Sequence, residues 1–368
     1  FSKRSKKRKA KGMPGGGNCW GQFVAMLFIQ LGRAHFLREI TGGPRSCEGK
    51  LKHLRITAPN RSTLGYANEH RPWQLYQKVF QQLLVKCQMQ AQGRKKFRFK
   101  NKLMSMDSTT IDLSVTLFDW AKFRRTKGAI KLHLVLDHDG YLPAYALITE
   151  GKVADIKVAP EFSFAPGTVV VDDRGYTSYE LWGRWTAQGV YFVSRLKDNA
   201  VFEAVGERSV PQNRHVLRDE AIELRGLKAQ DKCPYPLRLV EVYVPETDET
   251  LVFVTNNHDF GATTIAAIYK DRWQIEAFFR ALKQNLKIKT FVGTSPNAVK
   301  VQVWTALIAM LILRFLQLGS RFKWSLSNLI ALLRMNLFTH RDLWAWLNDP
   351  FETPPVSYEM EQLSLALV

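Results

Sequence analysis

Cysteine is scarce. The four present, Cys19, Cys47, Cys87 and Cys233, are scattered and form no short-spaced pair. Structural zinc needs paired thiolates, so it is excluded, and the four read as reduced core residues of a cytosolic protein. Long hydrophobic runs are also missing: Val303–Leu313 is bounded by Lys300, Gln302 and Arg314, short of the ~18 residues of a membrane span. It is expected to be a buried core helix. The start, Phe1–Lys11 (FSKRSKKRKAK), has neither an initiator Met nor the apolar stretch of a signal peptide. A fragment or a processed product is the expectation there, its basic run serving as a DNA-contacting arm, a targeting patch or a solubilising tail. Acidic residues are few beside basic ones: 33 Asp+Glu against 53 Lys+Arg leave a formal charge of +20 and a pI near 9.8. Such an excess calls for a polyanionic partner, nucleic acid first and an anionic membrane surface second.

What is present suffices for more than one domain: 368 residues, 46% of them hydrophobic, can bury a large core. After Gly15-Gly16-Gly17, apolar residues recur at Trp20, Phe23, Val24, Leu27, Phe28 and Leu31, which is helical spacing. A second helix is expected from Pro72, with Trp73, Tyr76, Phe80, Leu83, Leu84 and Cys87 on one side. From Lys100 the texture turns to short strands at Leu103–Asp107, Ala129–Leu136, Leu142–Thr149, Val169–Asp172 and Val190–Arg195. Asp137-His138-Asp139-Gly140 is hairpin-turn chemistry, and Pro143 suits an edge strand. Ser178–Gln188 reads as a helix, giving a mixed α/β sheet. A β-rich insertion spans about 200–260, including Leu237–Val244 and Leu251–Thr255, before helix returns at Thr263–Lys287 and from Ser295-Pro296 onward.

The chemistry concentrates in Tyr269-Lys-Asp-Arg272-Trp-Gln-Ile-Glu276-Ala-Phe-Phe-Arg-Ala-Leu-Lys283. Steps of three, four and seven put Tyr269, Arg272, Glu276 and Lys283 within roughly 60° of one another on a helix. Ile275, Phe278, Phe279, Leu282 and Leu286 form a separate anchoring stripe. A solvated face would explain the charges. It predicts neither the tyrosine in line nor the carboxylates at strand ends: Asp107 after Leu-Met-Ser-Met, and Asp172-Asp173 after Val169-Val170-Val171. Three carboxylates from two strands and a helix suit Mg²⁺, and two such ions can activate the attacking oxygen and stabilise the leaving one. Alternation sends Asp172 and Asp173 to opposite faces, and spacing alone leaves the choice between them open.

The sequence resembles DDE transposases of the insertion-sequence-four family, whose signature Tyr-x2-Arg-x3-Glu-x6-Lys is matched by Tyr269, Arg272, Glu276 and Lys283. Asp107, in Met-Asp-Ser-Thr, and Asp173, in Asp-x-Gly-Tyr, resemble its two aspartates, and the likeness spans roughly Cys19 to Leu318. It implies a ribonuclease-H-like catalytic domain over 100–318, and the charge and periodicity of the rest divide it into a basic arm over 1–17, a helical DNA-binding domain over 18–99 and a C-terminal helical segment over 319–368. Asp107, Asp173 and Glu276 would be catalytic metal ligands, and Tyr269, Arg272 and Lys283 would contact phosphate. Mg²⁺, replaceable by Mn²⁺ and two ions per site, would be the cofactor. Terminal inverted repeats and target DNA would be the partners of a homodimer, with no membrane, in the bacterial cytoplasm at the nucleoid.

Two basic segments are expected to guide DNA. Lys96-Phe97-Arg98-Phe99-Lys100 would bury its phenylalanines as a strand. Lys122, Arg124, Arg125 and Lys127 precede the second long strand. End recognition falls to the N-terminal helices, where Glu48–Leu54, a turn at Ala58-Pro59-Asn60 and a helix capped by Ser62 resemble a helix-turn-helix. The competing readings are a catalytically inactive DNA-binding relative, disfavoured by the three intact carboxylates, and a metal-dependent nuclease without strand transfer.

Overall fold

The computed structural model describes residues 18–355 except Val115, Arg125, Thr126, Asn213, Leu227, Lys287 and Lys289, so the expected basic arm lies outside the described residues. Four helices come first: α1 Cys19–Gly32, α2 Leu37–Ser46, α3 Arg61–His70 and α4 Gln74–Ala91. The strands then run β1 Leu103–Leu113, β2 Lys122–Arg124, β3 Lys127–Asp137, β4 Leu142–Glu150 and β5 Val169–Val171. Helix α5 Tyr179–Ala187 precedes β6 Tyr191–Arg195, β7 Phe202–Glu207, β8 Val216–Leu224, β9 Leu237–Val244 and β10 Glu249–Thr255. The chain continues through α6 Ala262–Asp271, α7 Trp273–Asn285, α8 Pro296–Gly319, α9 Leu326–Met335 and α10 Leu343–Asn348.

Two compact units result, one of residues 1–83, 285–293 and 297–368, the other of 84–284 and 294–296. Helices make up the first. Asn18 starts α1 by accepting the Gly21 N–H at 2.6 Å, a side-chain cap for an otherwise orphaned donor. Helix α8 is apolar enough by composition to cross a membrane, yet 78% of its most apolar window is buried. It is the core helix its sequence suggests. Glu48–Leu54 is a 3-10 helix, and Asn60, not Ser62, takes the N-cap position of α3. Ser62 is the second residue of α3 and already helical, so it lacks the extended backbone of an N-cap, which Asn60 has.

The second unit is built on one ten-stranded sheet in the order β2-β3-β1-β5-β6-β10-β9-β8-β7, with β4 also paired to β3. Strands β1, β5 and β6 are mutually parallel, and β3 is antiparallel to β1. The valines of β5 are buried on both faces, as a central parallel strand requires. Leu103, Val169 and Val171 pack on one side with Ile265 and Ile268 of α6, while Met106 and Val170 pack on the other with Trp182 and Trp185 of α5. Pro143 lies on β4 opposite Leu136, where the register shifts. Its missing N–H is tolerated at such an edge.

Two further expectations are corrected. Residues 96–100 are a series of bends and form no strand. Their phenylalanines turn inward by stacking instead, Phe97 on Phe99 at 5.1 Å and Phe99 on Phe260 at 4.8 Å between ring centroids. The segment expected to be β-rich over about 200–260 supplies β7, β8, β9 and β10, which join the same sheet through the pairing of β10 with β6. The helix expected over Thr263–Lys287 breaks at Arg272, which caps α6 before α7 begins.

Candidate active site

Strand pairing brings the first two carboxylates level. Ser105 on β1 is opposite Val171 on β5 in parallel register, so two residues further on Asp107 stands abreast of Asp173, where β5 has ended. Alternation from Val169 and Val171 points Asp173 to the α6 face. There it caps the 3-10 turn Arg174–Tyr176, its Oδ1 accepting the Gly175 N–H at 2.8 Å. A Cβ on Gly175 would stand 3.0 Å from that same oxygen. The glycine of Asp-x-Gly-Tyr therefore keeps the aspartate close to its own backbone.

Asp172 faces the other way and is fully buried. Neither of its carboxyl oxygens, nor the nearby Ser194 hydroxyl, closes a hydrogen bond among the described residues. Burial pushes its carboxyl up to about 8, with help from the charge of Asp173.

The helix break supplies the third carboxylate and a cation. Arg272 reaches forward one turn to Glu276 Oε1 at 2.6 Å and across to Asp107 Oδ2 at 3.4 Å. Its guanidinium lies over the Tyr269 ring at 5.5 Å, and that ring packs on Phe253 of β10 at 4.7 Å. Burial disfavours the charge of Arg272, but Tyr269, Asp107 and Glu276 outweigh it and raise its pKa. Asp107 is pushed up to about 7 by burial first, then by Asp173 and Glu276. The charges of Asp173 and Glu276 thus reach Asp107. Lys283, two turns beyond Glu276, donates to the Thr110 carbonyl of β1 at 2.9 Å.

Strand β1 runs on to Leu113, so Asp107 lies mid-strand and not at the strand end its sequence suggests, and Tyr269, Arg272, Glu276 and Lys283 line up along it beside the C-terminal end of β5, where Asp173 follows. Lys122, Arg124 and Lys127 lie on strand backbone, but their side chains, and Arg125 altogether, fall outside the described residues. Missed in the sequence was Asp155, which accepts from the Ser108 hydroxyl at 2.7 Å and from Lys131 at 3.1 Å. It is also the largest charge acting on the buried Tyr176 hydroxyl, whose pKa burial and Asp155 raise together. Nothing in Gly-Lys-Val-Ala-Asp marks that residue.

No group of three His, Cys, Asp or Glu among the described residues is gathered closely enough to form a metal cage as it stands. The donor set nevertheless suits a hard divalent cation: the carboxylates are all-oxygen ligands, and their mutual repulsion at Asp107 is what such an ion would relieve.

Residues 98–312 match the family described as Transposase DDE domain, and residues 3–56 match a Domain of unknown function (DUF4372). A Sinorhizobium fredii protein named as a transposase, y4zB, is 32% identical over 86% of this chain and 87% of its own length. A Geobacillus stearothermophilus protein, named as a transposase for insertion sequence element IS5377, is 30% identical over 69% of this chain and 67% of its own. A solved structure of piggyBac transposase in a synaptic complex with hairpin DNA aligns at a TM-score of 0.45 and 10% identity, over 96% of this chain and 78% of that one. DDE transposases are divalent-metal enzymes that act on DNA, and on the domain match and the 32% identity across most of its length, this chain belongs to the DDE transposase family.

Proposed function

We propose that this transposase is of the insertion-sequence-four type, and that it binds insertion-sequence ends, hydrolyses them to a 3′-OH and joins that 3′-OH to target DNA. Asp107, Asp173 and Glu276 are the metal ligands and Mg²⁺ the ion, two per site, with Mn²⁺ able to substitute. The observation that carries the reading is the Arg272 guanidinium bonded at once to Asp107 and Glu276, with Asp173 level with Asp107 in strand register. Asp173 is preferred to Asp172 because it shares the α6 face with the other two and is partly open, whereas Asp172 is sealed on the opposite face.

When bound, the metal would activate the attacking oxygen and stabilise the leaving one. The residues of this chain account for the rest. Arg272 holds positive charge against the reacting phosphate, Lys283 adds a second cation one face-line away, and the Tyr269 hydroxyl contacts a phosphate oxygen. Lys122, Arg124, Arg125 and Lys127 extend the basic track, and the N-terminal helices over 18–99 read the terminal repeat. The strand order β4-β3-β1-β5-β6, a three-stranded antiparallel part followed by two parallel strands, supports a ribonuclease-H-like core. A homodimer on paired ends, in the cytoplasm at the nucleoid, completes the proposal.

The test incubates protein, Mg²⁺ and labelled element ends with a target plasmid. Joined product from the wild type, and none from Asp107→Ala or Glu276→Ala that still bind ends in EDTA, is the expected result. Nicked ends that never join would replace transposition with plain nuclease activity.

A further inference from the structure

Strand β1 is tied to the α6 helix end by a second set of bonds, adjacent to the one at the metal ligands. The Ser105 hydroxyl meets His138 Nε2 at 2.6 Å, and His138 Nδ1 meets Asp271 Oδ2 at 2.7 Å. Tyr141 donates to the same carboxylate oxygen at 3.4 Å, and Lys96 pairs with the other. Ser105, His138 and Asp271 are 0%, 4% and 2% exposed. Serine, histidine and aspartate in that order have the form of a hydrolase triad. A hydroxyl sealed inside the sheet meets no substrate, so nucleophilic catalysis is excluded.

Placement gives the set another meaning. Ser105 and Asp107 are two apart on β1 and share a face. Asp271 is the last residue of α6, and Arg272 follows it at the break. The two ties therefore run side by side, Ser105–His138–Asp271 within the core and Asp107–Arg272–Glu276 at the open end. An apolar filler could occupy the same space but would not fix the spacing, whereas an imidazole bonded at both nitrogens fixes distance and direction together. His138 is itself held by the hairpin turn: its N–H donates to the Leu103 carbonyl at 3.1 Å, and Lys102 pairs with Asp137 and Asp139 on either side, each at 2.8 Å.

We propose that His138, held between Ser105 and Asp271, is a positioning residue for the transposition chemistry, setting Arg272 and Glu276 against Asp107. The inference rests on the site proposed above. Misplacing a reacting group by about 1 Å costs roughly 100-fold in rate, so the relay acts on turnover and not on DNA affinity.

Its test compares wild type, His138→Phe, His138→Gln and Ser105→Ala for single-turnover cleavage of labelled ends, for end-binding Kd in EDTA and for Tm, with Asp107→Ala alongside. His138→Phe keeps an aromatic ring, though a larger one, and removes both hydrogen bonds, and is expected to slow cleavage roughly 10- to 100-fold with Kd unchanged. Gln, which can bond at both ends, should recover part of the rate. Should His138→Phe fail to fold, Ser105→Ala carries the same expectation in milder form. Full-rate cleavage by the folded variants, or a loss mirrored in Kd and not rescued by Gln, overturns the relay. An inactive Asp107→Ala beside a full-rate His138→Phe leaves the site standing and removes only the relay; a normally cleaving Asp107→Ala removes the site itself.

Discussion

Among the arginines of the sheet unit that are bound to carboxylates, Arg238 and Arg272 differ most instructively in how completely they are satisfied. Arg238 on β9 makes a bidentate pair with Asp219 of β8, both bonds at 2.7 Å, and gives its remaining nitrogen to the Asn257 and Phe260 carbonyls. The side chains of Arg238 and Asp219 are 2% and 3% exposed. Arg272 at the candidate site is looser: one bond is long, its Nε has no partner among the described residues, and Asp107 and Glu276 are 16% and 31% exposed. Saturated and sealed, the first pair is structural. The second retains unmet hydrogen-bonding capacity where a phosphate can supply it. Incomplete satisfaction, not the presence of charge, distinguishes the working end of the sheet from its insertion.

The comparison breaks if the two pairs respond alike to mutation. Asp107→Ala and Glu276→Ala should each lower end cleavage by 10³-fold or more, on the order of removing a whole catalytic interaction, while Tm stays near wild type. Arg238→Ala should do the reverse, costing about 3–5 kcal/mol of stability by leaving the buried Asp219 with only the longer Arg208 contact at 3.6 Å, and impairing cleavage only through unfolding. Arg238→Met combined with Asp219→Leu should recover most of that loss in denaturant titrations, since a buried pair replaced as a unit is close to neutral. Equal destabilisation by Asp107→Ala and Arg238→Ala would erase the distinction.

Metal sharpens it further without using activity. Mg²⁺ or Mn²⁺ should raise the Tm of wild type, by the equivalent of about 2.7 kcal/mol at a hundred times Kd, and should leave Glu276→Ala unmoved. The smallest effect concerns His133 of β3, beside Asp155. Burial lowers its ring to about 4 from 6.5, partly opposed by Asp155 and reinforced by Lys131. A ring kept neutral in the fold contributes stability that is present above pH 6.5 and lost as pH falls through 4. Thermal melts between those values should therefore slope less for His133→Gln than for wild type.

The parts legible in the sequence are those whose cause is local. Leu237–Val244 alternates and is a strand with those bounds. Ser178 announces α5 and caps it through the Leu181 N–H at 3.3 Å. Tyr269, Arg272, Glu276 and Lys283 share one line by periodicity alone. The break at Arg272 is invisible because α6 and α7 keep the same apolar rhythm across it. Helix α2 is hidden by Gly42, Gly43 and Pro44, poor helix formers that stand within its bounds. Non-local pairing is unreadable for a different reason: nothing in β10 says that its partner is β6. His138 is a turn residue in sequence, and its two partners lie 33 and 133 positions away.

The chemistry uses one side of the sheet, and the adjacent residues Asp172 and Asp173 decide which. The direct measurement is strand transfer of labelled ends into plasmid with Mg²⁺ by Asp173→Ala and Asp172→Asn, each matched for end binding in EDTA. Asp173→Ala should bind and yield no cleaved or joined DNA, while Asp172→Asn, which replaces a sealed carboxyl by an uncharged amide of the same shape, should retain joining. Joining by Asp173→Ala together with its loss in a folded Asp172→Asn would contradict the account and move the second metal ligand to the buried face.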